Sequence, residues 1–285
     1  MINKITFSAI LCILLFSCKK TDTSTTGGTI AAKTMLNVSY GTDPLQKMDV
    51  YLPANRTTTT TKVIVMIHGG AWNAGDKGDM TPFVDSFNRR LPDYAVININ
   101  YRLALTTATL FPTQELDVKA AMQFIADHIS EYLISQKIVL LGASAGAHLA
   151  LLQGNKYSSP FRPKAIVSLF APSDMVDMYN NPANPLVPAG IVQVIGKTPT
   201  QDPLIYSNSS PVNFVTSSSP PTILLHGGVD QLVRYQQSVT MKNLLTNAGV
   251  INQYVFYPTE GHGWVGLNLV DSFNKIQAFL TANVN

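Results

Sequence analysis

Ser144 lies at the centre of Gly142-Ala143-Ser144-Ala145-Gly146, directly after the apolar run Ile138-Val139-Leu140-Leu141. A serine on a tight turn between a strand and a helix has its hydroxyl pushed out of the backbone into a cleft. That is how a weak nucleophile is presented for acyl transfer. The flanking glycines suit a strained turn whose central residue takes a positive φ. Such a serine needs a base, and the base needs a carboxylate to hold its tautomer. His262 is the candidate base, because the Gly-rich loop Glu260-Gly261-His262-Gly263-Trp264 follows the last strand-like run and can bring the ring close. Asp230 is the candidate acid, set four residues beyond His226 after the run 222–225. Asp174 is its rival, although Ala171-Pro172-Ser173-Asp174 reads equally well as the capped start of an inserted segment. An oxyanion would be held by the backbone N–H groups of Gly70 and Ala71, in His68-Gly69-Gly70-Ala71-Trp72, and of Ala145. Each such donor is worth roughly 3 kcal/mol in a transition state.

The other four histidines have plainer roles. His68 braces the loop it opens, and His148, one turn beyond Ser144, packs against the sheet. His226 makes a structural hydrogen bond, and His128 suits the C-terminal end of a helix. No histidine pair has metal-ligand spacing, so no metal and no cofactor are expected.

The elements that must position these residues follow from hydrophobic patterning. Residues 36–40 and 48–52 alternate as half-buried strands joined by a turn at 41–46. Six further short runs, at 63–67, 94–99, 138–141, 165–170, 222–225 and 253–257, are mostly continuous apolar stretches, as strands buried on both faces are. Helical segments fall between them. Thr81-Pro82 caps and opens one that runs towards Arg90, and Gln114 to His128, Ala145 to Gln153, Tyr235 to Asn247 and Leu267 to Ala282 supply the rest. This alternation predicts the α/β class, with a doubly wound, mainly parallel sheet and antiparallel N-terminal strands. The stretch 173–219 interrupts it with six prolines and is too long for a plain connection. It reads as a cap inserted before the penultimate strand.

The chain has 285 residues, 46% hydrophobic and 13% charged, with a net charge of +3 that forms no basic stripe; nucleic acid is therefore not an expected partner. Lys4 precedes an apolar run from Ile5 to Ser17 that is shorter than the roughly 20 residues of a membrane span and has the form of a signal peptide. Its end, Leu15-Phe16-Ser17-Cys18, resembles a bacterial lipobox. The resemblance implies cleavage before Cys18, a lipid on that thiol and a place in the bacterial cell envelope, periplasmic or outer-membrane. The only other cysteine, Cys12, falls inside the presumed signal, so the mature chain would carry no disulfide. The expected organisation is a signal peptide at 1–17, a flexible Thr/Ser/Gly-rich tether at 18–34 and one domain at 35–285.

Several motifs together carry a wider resemblance: His68 to Trp72, Asn100-Tyr101-Arg102-Leu103, Phe111-Pro112 with Asp117-Val118, Gly142 to His148, Pro220 to Gly227, Asp230 and Gly261-His262-Gly263. In this order they resemble an α/β-hydrolase of the carboxylesterase and lipase type with a His-Gly-Gly-x-Trp loop, a group that includes acetyl-xylan or feruloyl esterases and kynurenine-formamidase-like enzymes. The resemblance implies the nucleophile–acid–base order Ser144, Asp230, His262. It also implies a serine esterase acting through an acyl-enzyme on a small-molecule or saccharide ester, such as an acetyl or aryl ester of a polysaccharide. The chain departs from hormone-sensitive-lipase-like members at Ala71 and Ala143, which points to the His-Gly-Gly-x-Trp esterases of the xylan-esterase or formamidase kind, and Arg234 stands where the latter commonly have proline. An amidase or peptidase with the same triad, and a binding module that keeps only the fold, are the alternatives. Neither the natural substrate nor the oligomeric state is set by these motifs.

Overall fold

The computed structural model describes residues 29–285. The expected signal peptide, Cys18 and the expected tether up to residue 28 lie outside the described residues. Eight strands form one sheet: β1 (Lys33–Ser39), β2 (Lys47–Leu52), β3 (Val63–Ile67), β4 (Ala95–Ile99), β5 (Ile138–Ala143), β6 (Ala165–Leu169), β7 (Thr222–Gly227) and β8 (Asn252–Tyr257). Their spatial order is β1-β2-β4-β3-β5-β6-β7-β8. β1 and β2 pair antiparallel with each other and β2 pairs antiparallel with β4, while every other pairing is parallel. This is the expected doubly wound α/β sheet.

The expected tether ends too late. Lys33 and Thr34 already pair with Leu52 and Tyr51. β1 is a mostly exposed edge strand, so its start carries no hydrophobic signal that separates it from a linker.

Period-two alternation in the buried strands divides the core. Val63, Val65 and Ile67 point to one face, with Leu140, Ile166 and Leu224. Ile64 and Met66 point to the other, with Val139, Leu141 and Ile223. The first face is covered by α2 (Thr113–Asp127), α4 (Ala145–Lys156) and α8 (Gln236–Asn247), with the short α3 (Ile129–Tyr132) beside α2. The second is covered by α1 (Thr81–Arg90) and α9 (Gly266–Asn283). Thr81 is not the cap of α1. It is the first helical residue, with Pro82 second, because a 3₁₀ turn at Lys77–Met80, capped by Asp76, leads directly into the helix.

The insertion 173–219 is helical. It holds α5 (Met175–Asn180), α6 (Val187–Ile195), α7 (Pro203–Asn208) and a 3₁₀ turn at Pro211–Phe214. Pro188, Pro203 and Pro211 occupy first turns, where a missing N–H costs nothing, so prolines that look like breakers in the sequence act as starters. Gln237, at the start of α8, holds the entrance of the cap. Its Oε1 accepts from the N–H groups of Ser173 (2.8 Å) and Asp174 (2.7 Å), and its Nε2 donates to Asp177 (2.7 Å).

Candidate active site

Ser144 sits between β5 and α4 with φ 55° and ψ −121°, the positive φ expected of a serine thrust out on a sharp turn. The turn closes because two glycines let the helix cross the strands closely. A Cβ on Gly146 would lie 2.1 Å from the Ile67 carbonyl oxygen, and one on Gly142 would lie 2.3 Å from the backbone of Gly146.

His262 follows β8 on a loop pinched by a bridge between Gly261 and Gly263. Its Nε2 is 2.8 Å from Ser144 Oγ and its Nδ1 is 2.7 Å from Asp230 Oδ2. A carboxylate only accepts, so Nδ1 carries the proton and Nε2 is free to accept from the serine hydroxyl. Asp230 Oδ1 accepts from the N–H groups of Leu232 (2.8 Å) and Val233 (2.9 Å). Burial alone would raise the Asp230 carboxyl. Hydrogen bonds from His226 and His262, with that of Val233, outweigh burial and hold it well below the ordinary aspartate range.

His226 is a contributor that its position in the sequence did not reveal. The ring is fully buried at the end of β7, and Nε2 lies 2.9 Å from the Val233 carbonyl oxygen and 3.3 Å from Asp230 Oδ2. Both partners are acceptors, so Nε2 bears hydrogen, and Ser238 Oγ, 2.7 Å from Nδ1, donates to the other nitrogen. The i, i+4 spacing of His226 and Asp230 was the only available signal. Asp174 lies away from this cluster; its side chain caps α5 by accepting from the N–H groups of Val176 and Asp177.

The loop after β3 carries three consecutive left-handed residues, Gly70 (φ 103°), Ala71 (φ 49°) and Trp72 (φ 61°). The N–H groups of Gly70, Ala71 and Ala145 have no hydrogen-bond acceptor among the described residues. Non-glycine residues at such angles are strained by about 1 kcal/mol or more each, so the surroundings must hold them. Two braces are present. His68 donates from Nδ1 to the Gly69 carbonyl oxygen (2.7 Å) and stacks on Tyr101. Trp72 Nε1 donates to His148 Nδ1 (3.1 Å), and His148 Nε2 donates to the Ser209 carbonyl oxygen (2.7 Å). His148 therefore does not simply pack on the sheet. It ties the loop to the nucleophile helix and to the end of α7. Burial lowers its pKa to about 4, so the ring is neutral, as both partners require.

Above Ser144 lies a cavity of about 570 Å³ between the loop 69–74, α6 and the residues after Asp230, with Ser144 and His262 in its wall. Arg234 and the loop before it join this acid segment to the cap. Arg234 donates to the Asn181 carbonyl oxygen (3.1 Å), and Asn184 donates to that of Gln231 (2.6 Å).

Residues 48–245 match the BD-FAE family. Over 240 residues the chain is 25% identical to the esterase LipC of Mycobacterium tuberculosis (strain ATCC 25618 / H37Rv), covering 80% of this chain and 59% of that protein. It is 29% identical over 216 residues to the probable carboxylic ester hydrolase LipM of the same organism, covering 71% of this chain and 49% of LipM. The chain thus spans about half the length of these curated relatives. Among solved structures, a truncated carbohydrate esterase from gut microbiota superposes with a TM-score of 0.75 at 27% identity, covering 88% of this chain and 96% of that one.

Proposed function

Because the chain belongs to the BD-FAE family and has the α/β-hydrolase fold, we propose that it hydrolyses carboxylic esters through Ser144, His262 and Asp230. The observation that supports this reading best is the hydrogen-bond chain from Ser144 Oγ through the His262 ring to Asp230, with steps of 2.8 and 2.7 Å.

In the proposed reaction Ser144 Oγ attacks the ester carbonyl carbon while His262 Nε2 takes its proton. The negative charge that develops on the carbonyl oxygen is met by the N–H groups of Gly70, Ala71 and Ala145. Asp230 keeps the imidazole oriented and stabilises its charged form. His262 then protonates the departing alkoxide, which leaves an acyl group on Ser144. A water deprotonated by His262 attacks that ester, and the carboxylic acid leaves with Ser144 restored.

Likeness to a carbohydrate esterase supports a saccharide as the alcohol part. The proposal extends to location: a lipid on Cys18 holds the protein in a bacterial cell envelope, supported by the basic start, the apolar run and Leu15-Phe16-Ser17-Cys18. Ser144→Ala is expected to lower kcat/KM on p-nitrophenyl acetate by roughly 10⁴-fold or more. Unchanged turnover would remove Ser144 from the reaction. Faster hydrolysis of an arylformamide than of the matching ester would replace the esterase reading with an amidase one.

A further inference from the structure

Gly190 is a glycine without a local reason. It lies inside α6, its φ is not positive, and a Cβ built there would meet no atom within 4 Å. Glycine in a helix interior is less stable than alanine by up to about 1 kcal/mol, so a glycine that relieves no clash is a cost without a structural return. Gly190 does line the cavity above Ser144, at an exposed position, and so do Val187, three residues before it on the same helix face, and Ile191.

The cavity is chemically one-sided. Besides Ser144 and His262, its lining among the described residues offers as polar side chains only Asn73, Asn184 and the Trp72 indole N–H, which is already donated to His148; no Asp, Glu, Lys or Arg lines it. Asn184 is already committed, donating to the Gln231 carbonyl oxygen and accepting from the Leu186 N–H. A sugar ring here would lose water and find few partners. An apolar group would lose nothing. At the mouth Leu186 and Leu232 are 79% and 50% exposed, which leaves apolar surface uncovered. A volume of about 570 Å³ suits a whole small ligand and is far more than an acetyl group fills.

Resting on the esterase reading, we propose that this cavity is the acyl pocket and that it takes an unbranched apolar acyl group longer than acetyl, with Gly190 as the residue that leaves room for its far end. The acyl side is assigned because the loop 69–74, which would hold the acyl oxygen, bounds much of this space; His262, which would protonate the alcohol, stands in the same wall with its side chain 18% exposed, and the alkyl acetate series separates the two sides.

The test is a p-nitrophenyl ester series from acetate to octanoate, with a matching series of alkyl acetates from ethyl to hexyl. Each methylene that becomes buried is worth about fourfold, so kcat/KM should rise at least about tenfold from acetate to hexanoate. In Gly190→Leu the hexanoate-to-acetate ratio should fall at least about tenfold, with a melting temperature no lower than wild type because leucine favours helix. A binding arm separates this proposal from the esterase reading. Calorimetric titration of Ser144→Ala with ethyl hexanoate should give clear heat and with ethyl acetate little, and adding Gly190→Leu should abolish the difference. That result with no turnover of any ester would sink the esterase reading and leave the pocket standing. A flat acyl series with no chain-length-dependent binding overturns the pocket. So does a ratio unmoved in folded Gly190→Leu. A steep rise confined to the alkyl acetates overturns the acyl assignment.

Discussion

Asp230 Oδ2 receives two histidines, His262 at 2.7 Å and His226 at 3.3 Å, and only the first faces Ser144. The second donor holds the carboxylate in the orientation that meets His262. His226→Leu removes that donor. The expected outcome is a kcat/KM about tenfold lower, with His226→Gln restoring it in part. An equal loss in His226→Gln and His226→Leu would reduce His226 to packing. The residues named from the sequence as nucleophile, base and acid lie within hydrogen-bond reach of one another. They were legible because each follows a strand directly, so the sheet brings them to one edge. His148 and His226 were misjudged or undervalued because their partners, Trp72, Ser209 and Ser238, come from elements whose packing no local pattern encodes.

Among the elements, the buried strands were legible to within two residues, since an apolar run between turn residues has few other uses. The cap was legible only as an interruption. Its helices are short, α6 and α7 have proline in the first turn, and the longest, α6, packs on the core and the cavity through Ile191 and Val187. The tie at Gln237 is equally invisible in the sequence, yet it secures the entrance of the cap with three hydrogen bonds of 2.7–2.8 Å. Gln237→Ala would strand the buried Ser173 N–H and free that of Asp174, at a cost of about 2 kcal/mol. Urea denaturation should register that loss, and limited proteolysis should cut first within 173–219. Cleavage no faster than in wild type would show that the cap is held elsewhere.

For the whole molecule, acid is the condition most revealing of this architecture. His148 accepts from Trp72 and donates to Ser209, so a proton on Nδ1 would set N–H against N–H in a buried site. Its pKa falls from 6.5 to about 4, so the unfolded chain binds the extra proton first. Stability is therefore full above pH 6.5 and declines as pH falls towards 4, by up to roughly 3 kcal/mol. His148→Gln, which keeps one donor and one acceptor, should flatten that slope in denaturation midpoints measured between pH 7 and 4.5. A wild-type midpoint constant over this interval would contradict the neutral bridge. At the N-terminal end, cells fed labelled palmitate should label the full chain, and Cys18→Ser should be unlabelled and leave the membrane fraction; equal labelling of both would remove the anchor. Finally, the chain contains two tryptophans, Trp72 and Trp264. Trp72 lines the cavity, and Trp264 packs edge-on against Phe170, which in turn contacts the His262 ring. Excited beyond the tyrosine absorption band, the emission of this protein therefore comes from one indole in the cavity wall and one that reaches His262 through Phe170. Acylation and deacylation could be followed by stopped flow on esters that carry no chromophore.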